Sequence, residues 1–239
     1  MSKMIINSIL LSSILLNANE YYAKITPIQT YNIKSSVAGK VIYVNDTLES
    51  TTVKHNTLVK IDAKLDQIDL KHTKDKLNIT KQIVALEKQN LKRLNNISSK
   101  SQFEKDNQKI KILNLKSAIT DLKQKIDLLK DKINNKTVTI DNLYIYNIAI
   151  KPNDYVNPGT LLLTAMDITK TKLNFFVPIS EINDIKNKII YLDNKKTNYK
   201  ISKISKVADT KYISSYKCEI ILPSSLQLSH LTKIEFKDN

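Results

Sequence analysis

The side chains that could do chemistry are few and lie far apart along the 239-residue chain. None of the three histidines, His55, His72 and His230, has a neighbouring cysteine or histidine at the spacing of a metal site. Cys218 is the single cysteine and lies in a strand-like segment, where a buried small apolar residue is a commoner role than a nucleophile. We therefore predict no metal site, no cofactor and no catalytic cysteine.

Motifs of enzymatic chemistry are equally absent from the sequence. It contains no G-x-S-x-G turn, no phosphate-binding loop and no dense cluster of carboxylates. Glu104 and Asp106 are better explained by helix capping and solvation than by acid–base catalysis. The sequence therefore predicts a protein that is not an enzyme.

The formal charge of +15 raises the question of an anionic partner. Arginine occurs once, at Arg93, lysine is scattered, tryptophan is absent, and most aromatic residues lie outside the central segment described next. Nucleic-acid binders instead cluster Arg and Lys on one face among aromatic side chains, so we predict no nucleic-acid partner. Binding to anionic surfaces or polyanions through a lysine-rich coiled coil stays open as an alternative function.

The central segment, residues 63–136, contains no glycine and no proline. Its second half carries apolar residues in steps of three and four, the a/d pattern of a coiled coil, and its first half carries two apolar stripes. A polar turn, Asn95–Lys100, separates the halves. The pattern predicts an antiparallel helical hairpin with arms about 50 Å long, which is too thin to hold a pocket. The second-half seam is Ile112, Leu115, Ile119, Leu122, Ile126, Leu129 and Ile133; the first-half stripes are Ile79, Ile83, Leu86, Leu94 and Leu70, Leu77, Val84, Leu91. We expect the Ile79–Leu94 stripe to continue the seam and the Leu70–Leu91 stripe to pack against a neighbouring hairpin.

The ends of the two arms carry helix-capping residues. Asp62 is placed to cap the first arm. Ser101 and Glu104 form the capping-box pattern that begins the second arm. Asn134 and Asn135 suit a left-handed cap at its end.

Two similar segments flank the hairpin. Val53-x-x-Asn56-Thr57-Leu58-Val59 and Val156-x-x-Gly159-Thr160-Leu161-Leu162 share one pattern, which places Asn56 and Gly159 where a turn favours positive φ. Gly39 marks a turn or bulge between strands. We predict that the segments pair as halves of one small β-sandwich. Residues 168–239 alternate like five or six strands with a short helix, which predicts a small β-barrel.

The first 18 residues have a lysine near the start, an apolar run and a small residue at Ala18. This pattern is typical of a secretory signal peptide. The mature chain is therefore expected outside the cytoplasm.

The order of these features resembles the periplasmic adaptor, or membrane fusion protein, family (HlyD type) of tripartite efflux and type I secretion systems. The resemblance lies in Val37–Val41 continuing to Asp62, in Asn153–Leu161, in the hairpin between them, and in Phe176–Ile182 after them. It implies an α+β fold, mainly β, with a split lipoyl-like domain. The implied domains are a signal peptide (1–18), N-terminal strands joining the barrel (19–35), the first lipoyl-like half (36–62), the coiled-coil hairpin (63–136), the second half (137–167) and the β-barrel (168–239).

The resemblance also implies a function and partners. A ring of copies would bridge an inner-membrane transporter of the RND or ABC type to a TolC-type outer-membrane duct, which the hairpin tips contact. The family docks through an Arg, a Leu four residues later and a Ser seven beyond; here Leu94 and Ser101 keep the Leu–Ser spacing, Asn90 stands at the Arg position, and Arg93 is nearby. The tip residues implied are Asn90, Arg93, Leu94, Ile97, Ser101 and Asp106, and the structural turn residues are Gly39, Asn56, Asn153 and Gly159.

Three departures from that family pattern bear on the expectations. Asn56 and Asn153 stand where the family usually has glycine. The lysine that lipoyl and biotin carriers modify has no place here, because the hairpin replaces the turn that would hold it, so we expect no carrier role. We also expect the membrane-proximal fourth domain of the family to be absent.

Overall fold

The computed structural model of the chain describes residues 19–99, 101–224 and 227–238. The predicted signal peptide, residues 1–18, lies outside these residues. Contacts divide the chain into two compact units. The described residues of 30–166 form one, called the hairpin unit below. The described residues of 19–29 and 167–238 form the other, called the C-terminal unit.

The fold is mainly β with three α-helices among the described residues. The predicted mainly-β α+β class is thereby confirmed. The helices are α1 (Lys64–Asn95), α2 (Gln102–Asn134) and α3 (Ile182–Ile185), and single 3-10 turns lie at Asp46–Leu48 and Ile179–Glu181. The strands are β1 (Asn19–Lys34), β2 (Gly39–Val44), β3 (Thr52–Ile61), β4 (Thr137–Ile148), β5 (Tyr155–Val156), β6 (Leu161–Pro178), β7 (Ile189–Leu192), β8 (Lys195–Lys196), β9 (Lys203–Ala208), β10 (Ser215–Pro223) and β11 (Leu231–Lys237).

In the hairpin unit, antiparallel strands enclose one apolar core. β2 pairs with β3 and β5, β3 also pairs with β4, and β4 pairs with β6. Leu58 and Val59 from the first flanking segment share this core with Val156 and Leu162 from the second. The two segments that flank the helices in sequence therefore pack together, as the repeated pattern predicted.

The prediction for Asn56 is wrong. This residue lies inside β3, opposite Ile140 of β4, and not in a turn with positive φ. Pairing with β4 requires extended backbone at this position, and the register shift of the two strands comes only after it, between Thr57 and Val59. The left-handed residue before β3 is Ser50 (φ 62°), whereas Asn153 (φ 78°) and Gly159 (φ 92°) have the predicted positive φ.

The long helices α1 and α2 lie antiparallel. Ion pairs join Asp66 to Lys132 (2.8 Å) at one end and Glu87 to Lys111 (2.6 Å) toward the other. The seven seam residues predicted for α2 are all buried or half-buried, while most residues between them are exposed. The predicted reversal between Asn95 and Ser101 is also present.

In α1 the assignment of the two stripes is reversed from the prediction. Leu70, Leu77, Val84 and Leu91 are buried or half-buried, whereas the stripe of Ile79, Ile83 and Leu86 is exposed, with only Leu94 at its end half-buried. The reason is a polar layer that completes the seam: the residues alternating with the four apolar ones are Asp66, Thr73, Thr80 and Glu87, all buried or half-buried.

The threonines of this layer keep their hydroxyls satisfied on their own helix. Thr80 Oγ1 donates to the Lys76 carbonyl at 2.8 Å, and Thr73 Oγ1 donates to Asp69 Oδ1 at 3.4 Å. A threonine that is bonded in this way presents its methyl group to the partner helix without leaving an unpaired polar atom.

The predicted capping box at the start of α2 is confirmed: Ser101 Oγ accepts from Glu104 N at 3.3 Å and Ser101 N donates to Glu104 Oε2 at 3.0 Å. The cap of α1 is Ala63, one residue later than predicted, although the Asp62 carboxylate accepts from Lys64 N at 2.9 Å. The left-handed cap predicted at the end of α2 is absent, because Asn135 has φ −67° and the chain turns directly into β4.

A buried ion pair lies where both long helices meet the strands. Lys136 Nζ lies 2.5 Å from Asp66 Oδ2 and donates to the Asp62 carbonyl at 2.5 Å, and both charged side chains are almost fully buried. Burial alone would raise the pKa of Asp66, but hydrogen bonds and charges from Lys132 and Lys136 outweigh it and lower the pKa below its ordinary value of 3.8. We call this cluster the root of the hairpin.

In the C-terminal unit, β11 pairs with β1 and β7, β7 with β8, and β10 with β6 and β9, all antiparallel. Tyr21, Phe175 and Phe236 form an aromatic cluster in its core, with ring centroids 5.7–5.9 Å apart. Cys218 is buried in the same core, as predicted, and burial raises the pKa of its thiol to about 11. The short helix predicted within residues 168–239 is α3 with the 3-10 turn that precedes it.

The two glycines provide a matched test of packing. A Cβ at Gly39 would lie 2.6 Å from Ile61 Cγ2, whereas a Cβ at Gly159 would have no neighbour within 4 Å. We expect Gly39→Asn to lower the free energy of unfolding by about 1–3 kcal/mol through overpacking. Gly159→Asn should change it by less than about 1 kcal/mol, because asparagine tolerates positive φ. Urea denaturation measures both, and equal losses would contradict the close packing at Gly39.

The buried ion pair at the root of the hairpin should contribute more to the free energy of unfolding than an exposed ion pair does. Lys136→Met should lower the free energy of unfolding by about 3 kcal/mol, because it leaves the buried Asp66 carboxylate with only Lys132. Lys125→Met, which breaks the exposed pair with Asp69 (3.0 Å), should cost less than about 1 kcal/mol. Thermal and urea denaturation of the two variants compare them directly. A Lys136→Met protein as stable as Lys125→Met would show that the root does not hold the fold.

Candidate docking site at the hairpin tip

The tip of the hairpin is formed by the end of α1 and the start of α2. Asn96 N donates to the Arg93 carbonyl at 3.1 Å and Ile97 N to the Leu94 carbonyl at 3.2 Å, so the last turn of α1 closes on itself. The short connection then leads to Ser101; Lys100 lies outside the described residues. The six residues predicted for this site lie on these two helix ends and the connection between them.

Arg93 is exposed, and its side chain makes no hydrogen bond or ion pair with any residue that the structure describes. Ile97, in the connection, is 43 % exposed. A guanidinium with five free donors next to an apolar side chain is the kind of group that anchors protein interfaces. These two side chains are available to a partner.

Leu94 and Ser101 have structural roles that account for their spacing. Leu94 is half-buried and occupies a seam position of α1. The Ser101 hydroxyl accepts from Glu104 N in the capping box. That either residue contacts a duct stays a prediction.

Asn90 belongs to a polar network that joins the helices below the tip. Its Nδ2 donates to Glu87 Oε2 at 3.3 Å, and Gln108 Nε2 donates to the same oxygen at 2.7 Å. Lys111 Nζ lies 2.6 Å from Glu87 Oε1. Hydrogen bonds from Lys111, Gln108 and Asn90, in that order of strength, lower the pKa of Glu87 from 4.5 to about 2. Asn90 therefore supports the hairpin and is exposed as well.

Asp106 lies in a local network on α2. Its Oδ1 accepts from Lys109 Nζ and from Gln102 Nε2, each at 2.9 Å. The hydrogen bond from Lys109 and then that from Gln102 lower the pKa of the Asp106 carboxyl. The carboxylate thus stays charged at neutral pH beside the first turn of α2.

Phe103 is the tip residue that the sequence analysis did not single out as a binding residue. It is 74 % exposed in the first turn of α2, although it is a large apolar side chain. The available indication was its register: Phe103 does not continue the a/d seam that begins at Ile112, so a helix at this position points it away from α1. Together with Arg93 and Ile97 it forms what we call the tip patch.

The structural turn residues lie in the hairpin unit and not at the tip. Asn153 N donates to the Val41 carbonyl and Gly159 N to the Ser35 carbonyl, both at 2.8 Å. Gly39 opens β2 opposite Val156 of β5. These residues shape the β core and expose no reactive group.

Neither a metal cluster nor a membrane-spanning helix occurs in the described part of the chain. No three His, Cys, Asp or Glu side chains within residues 19–99, 101–224 and 227–238 come together as metal ligands would. No helix of those residues combines the length and the apolar character needed to cross a bilayer.

Comparison by sequence finds no match: no known family model and no curated protein matches the chain. Comparison by structure does find matches. A MacA-MexA chimera, which contains the α-hairpin domain of Pseudomonas aeruginosa MexA, is 17 % identical with a TM-score of 0.70, over 93 % of this chain and 82 % of that one. A membrane fusion protein of Streptococcus pneumoniae is 11 % identical with a TM-score of 0.69, over 92 % and 99 %. MacA of Actinobacillus actinomycetemcomitans is 16 % identical with a TM-score of 0.61, over 92 % and 78 %.

These solved structures define the class of fold. The chain has the fold of membrane fusion proteins, also called periplasmic adaptors, over nearly all of its described length. The resemblance inferred from the order of sequence features is thereby confirmed at the level of fold. At these identities the likeness concerns the fold alone.

The Glu87 network makes stability at the tip sensitive to acid. Because the folded pKa of Glu87 (about 2) lies below its ordinary value of 4.5, its contribution is fully present above pH 4.5 and is lost as the pH falls toward 2. We expect Glu87→Gln to be less stable than the wild type at neutral pH and the difference to shrink in acid. Urea denaturation at several pH values measures this difference. Asp75→Asn, at an exposed position without an ion pair among the described residues, is the control and should show no such trend.

Proposed function

We propose that this chain is a non-catalytic periplasmic adaptor that links an inner-membrane transporter to an outer-membrane exit duct. The observation that carries the proposal is the tip patch: Arg93, Ile97 and Phe103 are exposed together at the end of a pair of helices. The arms are about 48 Å long by their residue count. Nothing in the folding of the hairpin requires exposed apolar side chains at this end, so a partner is the reason we assign to them.

The chemistry of the tip patch suits the end of a helical or turn-rich duct. The Arg93 guanidinium can donate to carbonyl or carboxylate oxygens, and Phe103 and Ile97 can fill apolar grooves between helices. Leu94, Ser101, Asn90 and Asp106 would hold this patch in position and add polar contacts at its rim. A TolC-type outer-membrane duct is the partner that we propose for it.

A single tip of this size binds weakly, and a ring of copies would overcome that weakness. Linked contacts gain affinity because each engaged tip raises the local concentration of the next. The exposed α1 stripe of Ile79, Ile83 and Leu86 supports side-to-side packing of hairpins in such a ring. This stripe replaces the Leu70–Leu91 stripe, which is used within the hairpin.

The chain would act in the periplasm and have a second partner in the inner membrane. A signal peptide at residues 1–18 would deliver the chain to the periplasm, where it associates with an inner-membrane transporter of the RND or ABC type. The strands of the hairpin unit would form the split lipoyl-like domain, and those of the C-terminal unit the β-barrel. The separate apolar core of each unit supports this division.

Photo-crosslinking tests the proposed docking. A benzoyl-phenylalanine in place of Phe103 should form a crosslink to an outer-membrane protein in intact cells. The same group in place of Leu128, which is 64 % exposed on α2 away from the tip, should not. Mass spectrometry identifies the captured protein. No outer-membrane protein captured from position 103, or equal capture from both positions, would refute tip docking.

A binding measurement with the captured duct gives the energetic test. Arg93→Ala should weaken binding by about tenfold or more, as truncation of an interface arginine does. Lys105→Ala removes one positive charge near the tip patch but outside it, at a half-buried residue. This variant should weaken duct binding less than about threefold. Equal effects would indicate general charge attraction instead of docking through Arg93.

A further inference from the structure

The turn between β9 and β10 carries the two most exposed large apolar side chains that the structure describes in the C-terminal unit. Ile213 is 78 % exposed, and Val207, on β9 just before the turn, is 75 % exposed. Tyr212, beside Ile213 in the turn, is exposed as well. We call these three residues the β9–β10 patch. None of them belongs to the apolar core of the unit, so folding of the unit does not account for them.

The patch is held against the outer face of the sheet. Phe176 and Lys217 lie opposite each other where β6 pairs with β10. Their chain neighbours Phe175 and Cys218 are buried in the core, so this pair faces outward. The Tyr212 ring stacks on the Phe176 ring, with the ring centroids 4.3 Å apart. The stacking fixes the turn on the outer face and leaves its apolar side chains in water.

The backbone of the turn is hydrogen-bonded within the turn itself. Asp209 Oδ1 accepts from Lys211 N at 2.8 Å and from Tyr212 N at 3.1 Å. Asp209 N donates to the Ser215 carbonyl at 3.2 Å, and Ser215 N donates to the Tyr212 carbonyl at 2.9 Å. A peptide group without a partner is costly in an apolar medium. These peptide groups keep their partners when the turn leaves water.

Positive charge flanks the patch. Lys206, Lys211 and Lys217 are exposed, and none of them makes an ion pair within the part of the chain that the structure describes. Asp209 is the one carboxylate in residues 203–217, and the backbone of the turn already engages one of its oxygens. Projecting apolar side chains are thus combined with unpaired ammonium groups, which attract anions.

We propose that the β9–β10 patch inserts into the surface of an anionic phospholipid bilayer. Val207 and Ile213 would enter the boundary of the acyl chains, and Tyr212 would lie at the level of the headgroups. The three flanking lysines would pair with headgroup phosphates. A bilayer accepts projecting apolar side chains without a complementary groove and supplies anions around them, which is why we assign it and not a protein partner. This contact is additional to the proposed docking of the hairpin tip.

Tryptophan fluorescence tests the insertion, because the chain contains no tryptophan of its own. With vesicles of equal parts phosphatidylglycerol and phosphatidylcholine, the Tyr212→Trp chain should show a blue-shifted emission, and brominated acyl chains should quench it. Tyr155→Trp, at a residue that is 68 % exposed on β5 of the hairpin unit, is the control and should show neither effect. No shift from position 212, or equal quenching from both positions, would overturn the proposal. The assay needs no duct or transporter, so its outcome is independent of the adaptor function.

The same fluorescence change measures the part played by the lysines. Vesicles of phosphatidylcholine alone should require an at least about tenfold higher lipid concentration for half of the shift. In the Tyr212→Trp chain, Lys206→Gln with Lys211→Gln should raise that concentration about tenfold on the anionic vesicles. Lys170→Gln with Lys195→Gln removes the same charge from other exposed positions of the unit and should raise it less than about threefold. Equal effects of the two pairs would show that overall charge, and not the patch, draws the chain to lipid.

The apolar side chains are tested in the same way. In the Tyr212→Trp chain, Val207→Ser with Ile213→Ser should raise the half-shift lipid concentration at least about tenfold. The melting temperature should stay unchanged, because both side chains are exposed. Leu231→Ser, at an exposed position of β11, should change the lipid concentration less than about twofold. An unchanged shift after the double substitution would refute insertion through Val207 and Ile213.

Discussion

The buried pair of Lys136 and Asp66 is the interaction on which the hairpin depends. Taking both charges out of water is expensive, and the cost is offset because Lys136 Nζ also reaches the Asp62 carbonyl and Asp66 also receives Lys132. The backbone completes the junction, since Ile61 N donates to the Lys136 carbonyl at 2.8 Å. A strand end, a helix start and a helix end are thus fixed at one point, from which the two arms extend.

Along the arms, polar layers define the register that apolar residues alone would leave open. Leucine and isoleucine layers tolerate a slip of one heptad, because each layer resembles the next. Asp66 with Lys132 and Glu87 with Lys111 satisfy one common antiparallel register, and a slip would leave both carboxylates without their partners. Thr73 and Thr80 stay buried in these layers, with their hydroxyls bonded to groups of their own helix. Register matters for function because it decides which residues form the tip.

Local patterns predicted the elements well, and among the long-range contacts they predicted the packing of the two flanking segments but not the partners of α1 and β3. The α2 seam and the Ser101 capping box follow from spacing alone, so sequence was sufficient for them. The α1 seam was missed because half of it is polar, and only the partner helix shows that Thr80 is inside and Ile79 outside. Asn56 was misplaced because pairing with β4 outweighs its turn preference. Phe103 could have been recognised from its register outside the a/d seam, but the seam was read only from Ile112 onward.

The large apolar side chains that the hairpin leaves exposed indicate where other molecules could bind. Burial in the seam accounts for Leu77 and Val84, and the root accounts for the buried charges, but neither explains large apolar side chains that remain in water. The exposed apolar side chains of α1 recur along one side of that helix. Ile97 and Phe103 instead lie at the tip, where α1 ends and α2 begins. The α1 stripe can contact only a molecule beside the hairpin. The tip patch can contact only a molecule at the end of the hairpin. The α1 stripe and the tip patch thus face different neighbours, which suits a hairpin that packs beside other hairpins and contacts a partner at its tip.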